Sequence, residues 1–385
     1  MLLTAPQIHD GYTFLPAGSV LETDDAGTIL AVHKEPVNGD VIRHQGILCP
    51  GFVNAHCHLE LSHLKGMIPE HTGLIPFLKK IPTYRNTFTD EQIKAARHEA
   101  HKELLRNGIV AVGDISNVTD TLDIRALSKL HFHTFVECIG FTEQHARQRF
   151  EAALSIYNSF AAQESAGKIL RQTVVPHAPY SVSKAVFELM DKHQPQALIS
   201  IHNQESPDED EYYRYKTGMV RELLAGFGID DSFFQASGKS SLQTYTEWFS
   251  PQHPMLFVHN TCTTEEDLLI AMNRFDKTFW CLCPNANLYI ENKLPDVPML
   301  MRRNAHICIG TDSLSSNHQL CILSELSTLK KHFDLDWEIL LRWGTSNGAQ
   351  ALNMQERIGT FEPGKQPGIV NIVNLNTEPG VQRII

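Results

Sequence analysis

The sequence predicts an α/β protein: a (β/α)8 TIM-type barrel with a small β domain built from both chain ends. Three observations carry this. Residues 49–355 alternate apolar strand-like runs with longer amphipathic stretches, the pattern of βα units on a parallel sheet. Eight strand-like runs can be counted there, the number a (β/α)8 barrel requires. The two ends, 1–48 and 356–385, are instead short β-like pieces broken by turn residues.

Taken in order, the N-terminal pieces are separated by Asp10-Gly11, Pro16-Ala17-Gly18, Asp24-Asp25-Ala26-Gly27 and Asn38-Gly39-Asp40. The eight strands are then expected at 51–56, 109–116, 132–140, 172–177, 197–202, 255–259, 278–283 and 306–311. Helical patterns lie between them at 90–107, 146–164, 184–193 and 218–227. Asp90 fits an N-cap and Gly108 a helix stop. The segment 320–333 is amphipathic and fits either a cover for the barrel or a face that pairs two copies in a homodimer. Near the end, Gly364, Pro367 and Gly368 precede the apolar run 369–373, so the C-terminal piece is expected to join the N-terminal one.

Composition narrows the function. The formal net charge of -11 disfavours a nucleic-acid partner, whose phosphates need Lys and Arg to neutralise them. No run of about 18 apolar residues is present, so no membrane span is expected. The start, MLLTAPQIHDGYTF, lacks the basic and apolar regions of a signal peptide, and the cytoplasm is the expected location. Eight cysteines in a chain this long do not make a disulfide scaffold. Cys281 and Cys283 read as small core side chains.

What ends each strand is the more specific signal. His56 ends the first, His177 the fourth, His202 the fifth and His259 the sixth, while Asp312 follows the eighth. In a barrel, strand C-termini build one shared mouth. His58 stands two residues after His56, and in an extended segment both imidazoles face one side, with Cys57 turned away. Three neutral nitrogens from His56, His58 and His202 with the Asp312 carboxylate fit one divalent ion, zinc or iron(II), with a place left for water. Such an ion lowers the pKa of its water towards neutrality. Glu205, three residues past His202, can carry the proton between water and leaving group, with Asp312 sharing it. The alternative for Glu205 is a solvated carboxylate of the acidic stretch 208–211. His259 is placed to hydrogen-bond the attacking oxygen or the developing charge. A second metal would need a bridging ligand. Glu137, the only acid in the third strand, falls mid-run, so one metal is favoured.

These residues bring a resemblance with them. The runs Pro50-Gly51-Phe52-Val53-Asn54-Ala55-His56-Cys57-His58, Pro176-His177-Ala178-Pro179-Tyr180-Ser181, His202-Asn203-Gln204-Glu205, Val258-His259-Asn260 and Gly310-Thr311-Asp312-Ser313-Leu314-Ser315-Ser316-Asn317 resemble the amidohydrolase superfamily. They are most similar to its chlorohydrolase and aryl-amine deaminase branch. The resemblance implies a mononuclear site with those ligands, Glu205 as proton shuttle, His177 hydrogen-bonded to the substrate ring, Asn317 near the substrate, and a β-sandwich made by the two termini. The chain is short for that branch, and its C-terminal turn departs from the usual acidic pattern.

The run His58-Leu59-Glu60-Leu61-Ser62 resembles deaminases of aminodeoxyfutalosine, and His177-Ala178-Pro179-Tyr180-Ser181 those of methylthioadenosine and S-adenosylhomocysteine. Both imply a small-molecule substrate, a 6-aminopurine nucleoside whose amine-bearing ring carbon is attacked by hydroxide, releasing ammonia. Glu60 would accept hydrogen bonds from ribose hydroxyls or a ring N–H; otherwise it supports the site from behind or pairs with Lys65. Guanine, cytosine or triazine deamination, dechlorination and cyclic-amide opening use the same chemistry. A barrel that holds metal without turnover is the non-enzymatic alternative.

Overall fold

All eight expected strands form, each within two residues of its expected ends. The structure is a computed structural model of the chain and describes every residue except Ala166, Phe233, Asn376 and Glu378. The strands are β1 Phe52–Cys57, β2 Ile109–Ser116, β3 His131–Cys138, β4 Leu170–Pro176, β5 Ile199–Asn203, β6 Met255–His259, β7 Thr278–Leu282 and β8 Ile307–Ile309. β1, β2, β3, β5 and β6 are buried along their whole length. Strands covered on both faces read as continuous apolar runs, which is why the sequence showed them without alternation.

The strands pair in parallel as two four-stranded sheets, β4-β3-β2-β1 and β5-β6-β7-β8. Backbone hydrogen bonds near the strand C-termini join the two sheets along two seams. His202 N donates to His177 O at 3.0 Å on one seam, and Thr311 N and Asp312 N donate to His56 O at 3.0 and 3.1 Å on the other. Gly310 permits that second seam: a Cβ there would lie 2.8 Å from both the Cβ and the carbonyl oxygen of His56.

The helices show one local correction. The helix Asp90–Arg106 is capped by Thr89, not Asp90: Thr89 Oγ1 accepts from Gln92 N, and Gln92 Oε1 accepts from Thr89 N. Asp90 sits in the first turn, where its charge complements the helix dipole. The helix Ile322–Phe333 buries Ile322, Leu323, Leu326 and Leu329 in the main core, so its apolar stripe covers the strands.

The ends form two further four-stranded sheets. One holds Ile29–His33, Val20–Thr23, Leu2–Thr4 and Val41–Arg43. The other mixes the termini, with Gly380–Arg383 and Ile369–Val373 beside Ile47–Pro50 and Gln7–Ile8. Leu3, Leu21, Leu48, Phe361 and Ile369 share one apolar cluster across them. All eight cysteines are free. Among the described residues, no helix is long and apolar enough to cross a membrane.

Candidate active site

The C-terminal ends of the parallel strands bring His56, His58, His202 and Asp312 together from distant parts of the chain. His58 Nε2 lies 3.1 Å from His56 Nε2 and 3.3 Å from His202 Nε2. Asp312 Oδ1 lies 3.5 Å from His56 Nε2 and 3.3 Å from His58 Nε2. His259 joins them: one ligand atom each from His56, His202, His259 and Asp312 falls within a mutual 4.8 Å. All five side chains are buried.

These distances fit a metal ion. Nitrogen and oxygen ligands held about 2.0–2.2 Å from one tetrahedral ion lie about 3.3 Å from each other. Burial also holds His56 and His58 below the usual imidazole range, His58 at about 4, so both present neutral nitrogens. His202 differs. Burial is the largest single influence and works against its charge, but the hydrogen bond with Glu137 and the negative charges of Glu137, Glu205 and Asp312 together lift it to about 9. A proton and a cation therefore compete for His202 Nε2.

Glu137 is the site residue that the sequence reading set aside. Its Oε1 lies 3.2 Å from His202 Nδ1, which also lies 2.9 Å from His177 O. These acceptors fix the proton on Nδ1 and turn Nε2 towards the other ligands. With β3 expected to run to residue 140, Glu137 fell in mid-run; the strand stops at Cys138, which puts Glu137 at the rim. Glu137, His177 and His202 form a second group able to hold a cation. Residue spacing gave no sign of Asn117. Its Nδ2 donates to Glu60 Oε1 at 3.1 Å and to Glu137 Oε2 at 3.0 Å.

A cavity of about 330 Å³ opens over these groups, lined by His58, Glu60, His177, His202, Glu205, His259 and Asp312 among others. Its outer wall is apolar, with Leu74, Phe77, Ile81, Phe141 and Leu223. Glu205 is buried, and burial pushes its carboxyl up to about 8. Its Oε1 lies 3.8 Å from His259 Nε2. His177 Nδ1 is 2.8 Å from Ser181 Oγ.

Two further expected residues, Glu60 and Asn317, flank these groups. Glu60 does line the cavity, but its charged neighbour is Arg85 Nη1 at 3.8 Å; Lys65 pairs with Glu103 instead. Asn117 N also donates to Glu60 Oε2 at 2.9 Å. Asn317 is absent from the cavity lining. Its Nδ2 donates to Thr311 O at 2.9 Å and to Glu325 Oε1 at 2.7 Å, which ties down the loop that carries Asp312.

A family profile described as the amidohydrolase family matches residues 47–382. The chain belongs to the amidohydrolase family. As an amidohydrolase it is a hydrolase of carbon–nitrogen bonds other than peptide bonds. An adenosine deaminase of Helicobacter pylori is 26% identical over 326 residues, 83% of this amidohydrolase and 77% of the relative. The structure of Helicobacter pylori aminofutalosine deaminase in complex with methylthio-coformycin superposes with a TM-score of 0.80 at 21% identity, covering 98% of this chain and 93% of that one. An adenosine deaminase from Xanthomonas campestris with bound zinc gives 0.71 at 22%, covering 96% and 84%. At these identities the two structures speak for the α/β fold of the amidohydrolase alone.

Proposed function

We propose that this amidohydrolase is a metal-dependent deaminase of a 6-aminopurine nucleoside, with adenosine, methylthioadenosine or aminodeoxyfutalosine as the models for its substrate. The observation that supports it most is the convergence of three histidine Nε2 atoms and Asp312 Oδ1, with His58 3.1–3.3 Å from the other three and Asp312 3.5 Å from His56, beside the buried carboxyl of Glu205. In this reading the eight parallel strands, residues 49–355, act as one (β/α)8 barrel. Residues 1–48 and 356–385 act as a β-sandwich beside it.

His56, His58, His202 and Asp312 would hold one divalent ion, zinc first and iron(II) second. When bound, such an ion supplies Lewis-acid activation of water. The chain's own groups do the rest. Glu205 moves a proton from the attacking water to the substrate and on to the departing nitrogen, which leaves as ammonia. Asp312 shares that proton, and His259, 3.8 Å from Glu205, hydrogen-bonds the incoming oxygen. His177 faces the purine ring, and Glu60 accepts from ribose hydroxyls. The apolar outer wall excludes water and receives the far end of the nucleoside. The name of the curated relative, an adenosine deaminase, supports the substrate class.

The test is metal analysis of the purified protein with ammonia release from a panel. The panel pairs adenosine, methylthioadenosine, S-adenosylhomocysteine and aminodeoxyfutalosine with guanine, cytosine and a triazine amine, and a cyclic amide is scored separately for ring opening. Bound metal and ammonia from the first group is the expected result. Turnover confined to the second group replaces the substrate class, and metal without any turnover removes the catalytic reading.

A further inference from the structure

Between His202 and Glu205 the backbone does something unusual. Gln204 is left-handed, with φ +44°. A residue with a Cβ avoids that conformation unless its surroundings impose it. Here the surroundings do so from several directions. Gln204 N donates to Glu209 Oε1 at 3.1 Å, and Gln204 O accepts from Cys262 N at 2.9 Å. Gln204 Nε2 donates to Asp267 Oδ2 at 3.0 Å and to Asp210 Oδ1 and Oδ2 at 3.3 and 3.2 Å. The acceptors are themselves held. Ser240 Oγ donates to Asp267 Oδ1 at 2.6 Å, and the Ser241 hydroxyl donates to Glu209 Oε1.

Gln204, Glu209 and Asp267 are fully buried. Burying carboxyl groups around a neutral amide is costly, since they lose water and the amide brings no charge to offset it. None of the three acids lines the substrate cavity. Nor do they form a metal centre: among the described residues, the groups close enough to hold an ion are the two at the rim. What the arrangement does fix is the direction of the next residue. Glu205 leaves Gln204 towards the cavity and towards His259.

We infer that Gln204 is a positioning residue: its side-chain amide, held by Asp210 and Asp267, together with its main-chain N–H, held by Glu209, sets the turn that aims Glu205 at the substrate. This rests on the proton-carrying role proposed for Glu205. Other residues of the rim share the backbone signature, with positive φ at His259, Asn260 and Asp312. At Gln204 the side chain that locks the turn has no place in the cavity, so its work is separable from ligation and binding.

The experiment compares Gln204→Leu with the parent, both metal-loaded and full length, on the best nucleoside of the panel. Leucine keeps the volume and removes both amide donors. A misaimed proton carrier slows chemistry without weakening binding, so kcat is expected to fall about 10–100-fold. KM should stay within about twofold, and metal content should match the parent. A parental kcat, or a loss that follows loss of metal, overturns the inference. Gln204→Met, read by the same criteria, decides where the leucine variant does not fold. Parental turnover by Glu205→Gln would instead remove the role of Glu205 itself, a result distinct from failure of the clamp.

Discussion

The rim of the parallel strands and the sheets at the chain ends are built from opposite materials. At the rim, Gln204, His259, Asn260 and Asp312 all take positive φ, and Glu137, Glu205 and Asp312 are buried acids. The terminal sheets meet over Leu3, Leu21, Leu48, Phe361 and Ile369. One region accumulates strain and desolvated charge, while the other accumulates apolar contact. Local cost of that kind persists only where the rest of the fold over-determines it, and it concentrates where chemistry is done. The contrast therefore separates the part of the molecule that reacts from the part that supports it.

Four substitutions test that division, from largest effect to smallest. Glu205→Gln removes the proton carrier and keeps the shape. Turnover should fall about 10³-fold or more with metal content unchanged, measured as ammonia release alongside elemental analysis. Phe361→Ala strikes the other region. Deleting a ring that is 2% exposed should destabilise the fold by about 3–5 kcal/mol in denaturant titration, while kcat per folded molecule stays at the parental value. A matching loss of kcat would blur the division.

Glu137→Gln comes next. Its Oε1 lies 3.2 Å from His202 Nδ1, and weakening that support should lower metal affinity about 10–100-fold in chelator competition. Unchanged affinity would leave Glu137 to the substrate alone. The smallest effect, when read over a single pH unit, belongs to Glu209, which burial pushes up to about 8. The folded state keeps this proton to higher pH than the unfolded chain, whose glutamates release it near about 4.3. The group's contribution is therefore complete below about pH 4 and is lost as pH rises towards 8, at no more than about 1.4 kcal/mol per pH unit. Glu209→Gln should flatten the decline of thermal stability between pH 5 and 8, and an unaltered slope would assign the decline elsewhere.

Much of this was legible in the sequence, for identifiable reasons. The eight strands showed because burial on both faces leaves unbroken apolar runs. His56, His58, His202 and Asp312 showed because strand ends share one mouth, and the structure brings their ligand atoms together. Strand termini were harder, and an overlong β3 hid Glu137. The cap at Thr89 was missed by one residue, since Asp90 satisfies the same preference. Asn317 lay in a matching motif, but its amide braces the loop from behind. Asn117 had no signal at all, and Gln204 stood in the matching run His202-Asn203-Gln204-Glu205 with nothing to mark its own role. Their partners Glu60, Glu137, Asp210 and Asp267 come from other elements, and sequence spacing carries no record of such meetings.

The seams between the two parallel sheets carry a mechanical consequence. His56 and His58 come from the end of the first sheet, while His202 ends a strand of the second and Asp312 follows its last strand. A cation gripped by all four would rivet the halves across a join already fastened by main-chain bonds and by the Asn54–Thr311 and Glu137–His202 contacts. Loading the centre and stiffening the scaffold would then be one event, and a stripped enzyme would be a looser object as well as an idle one.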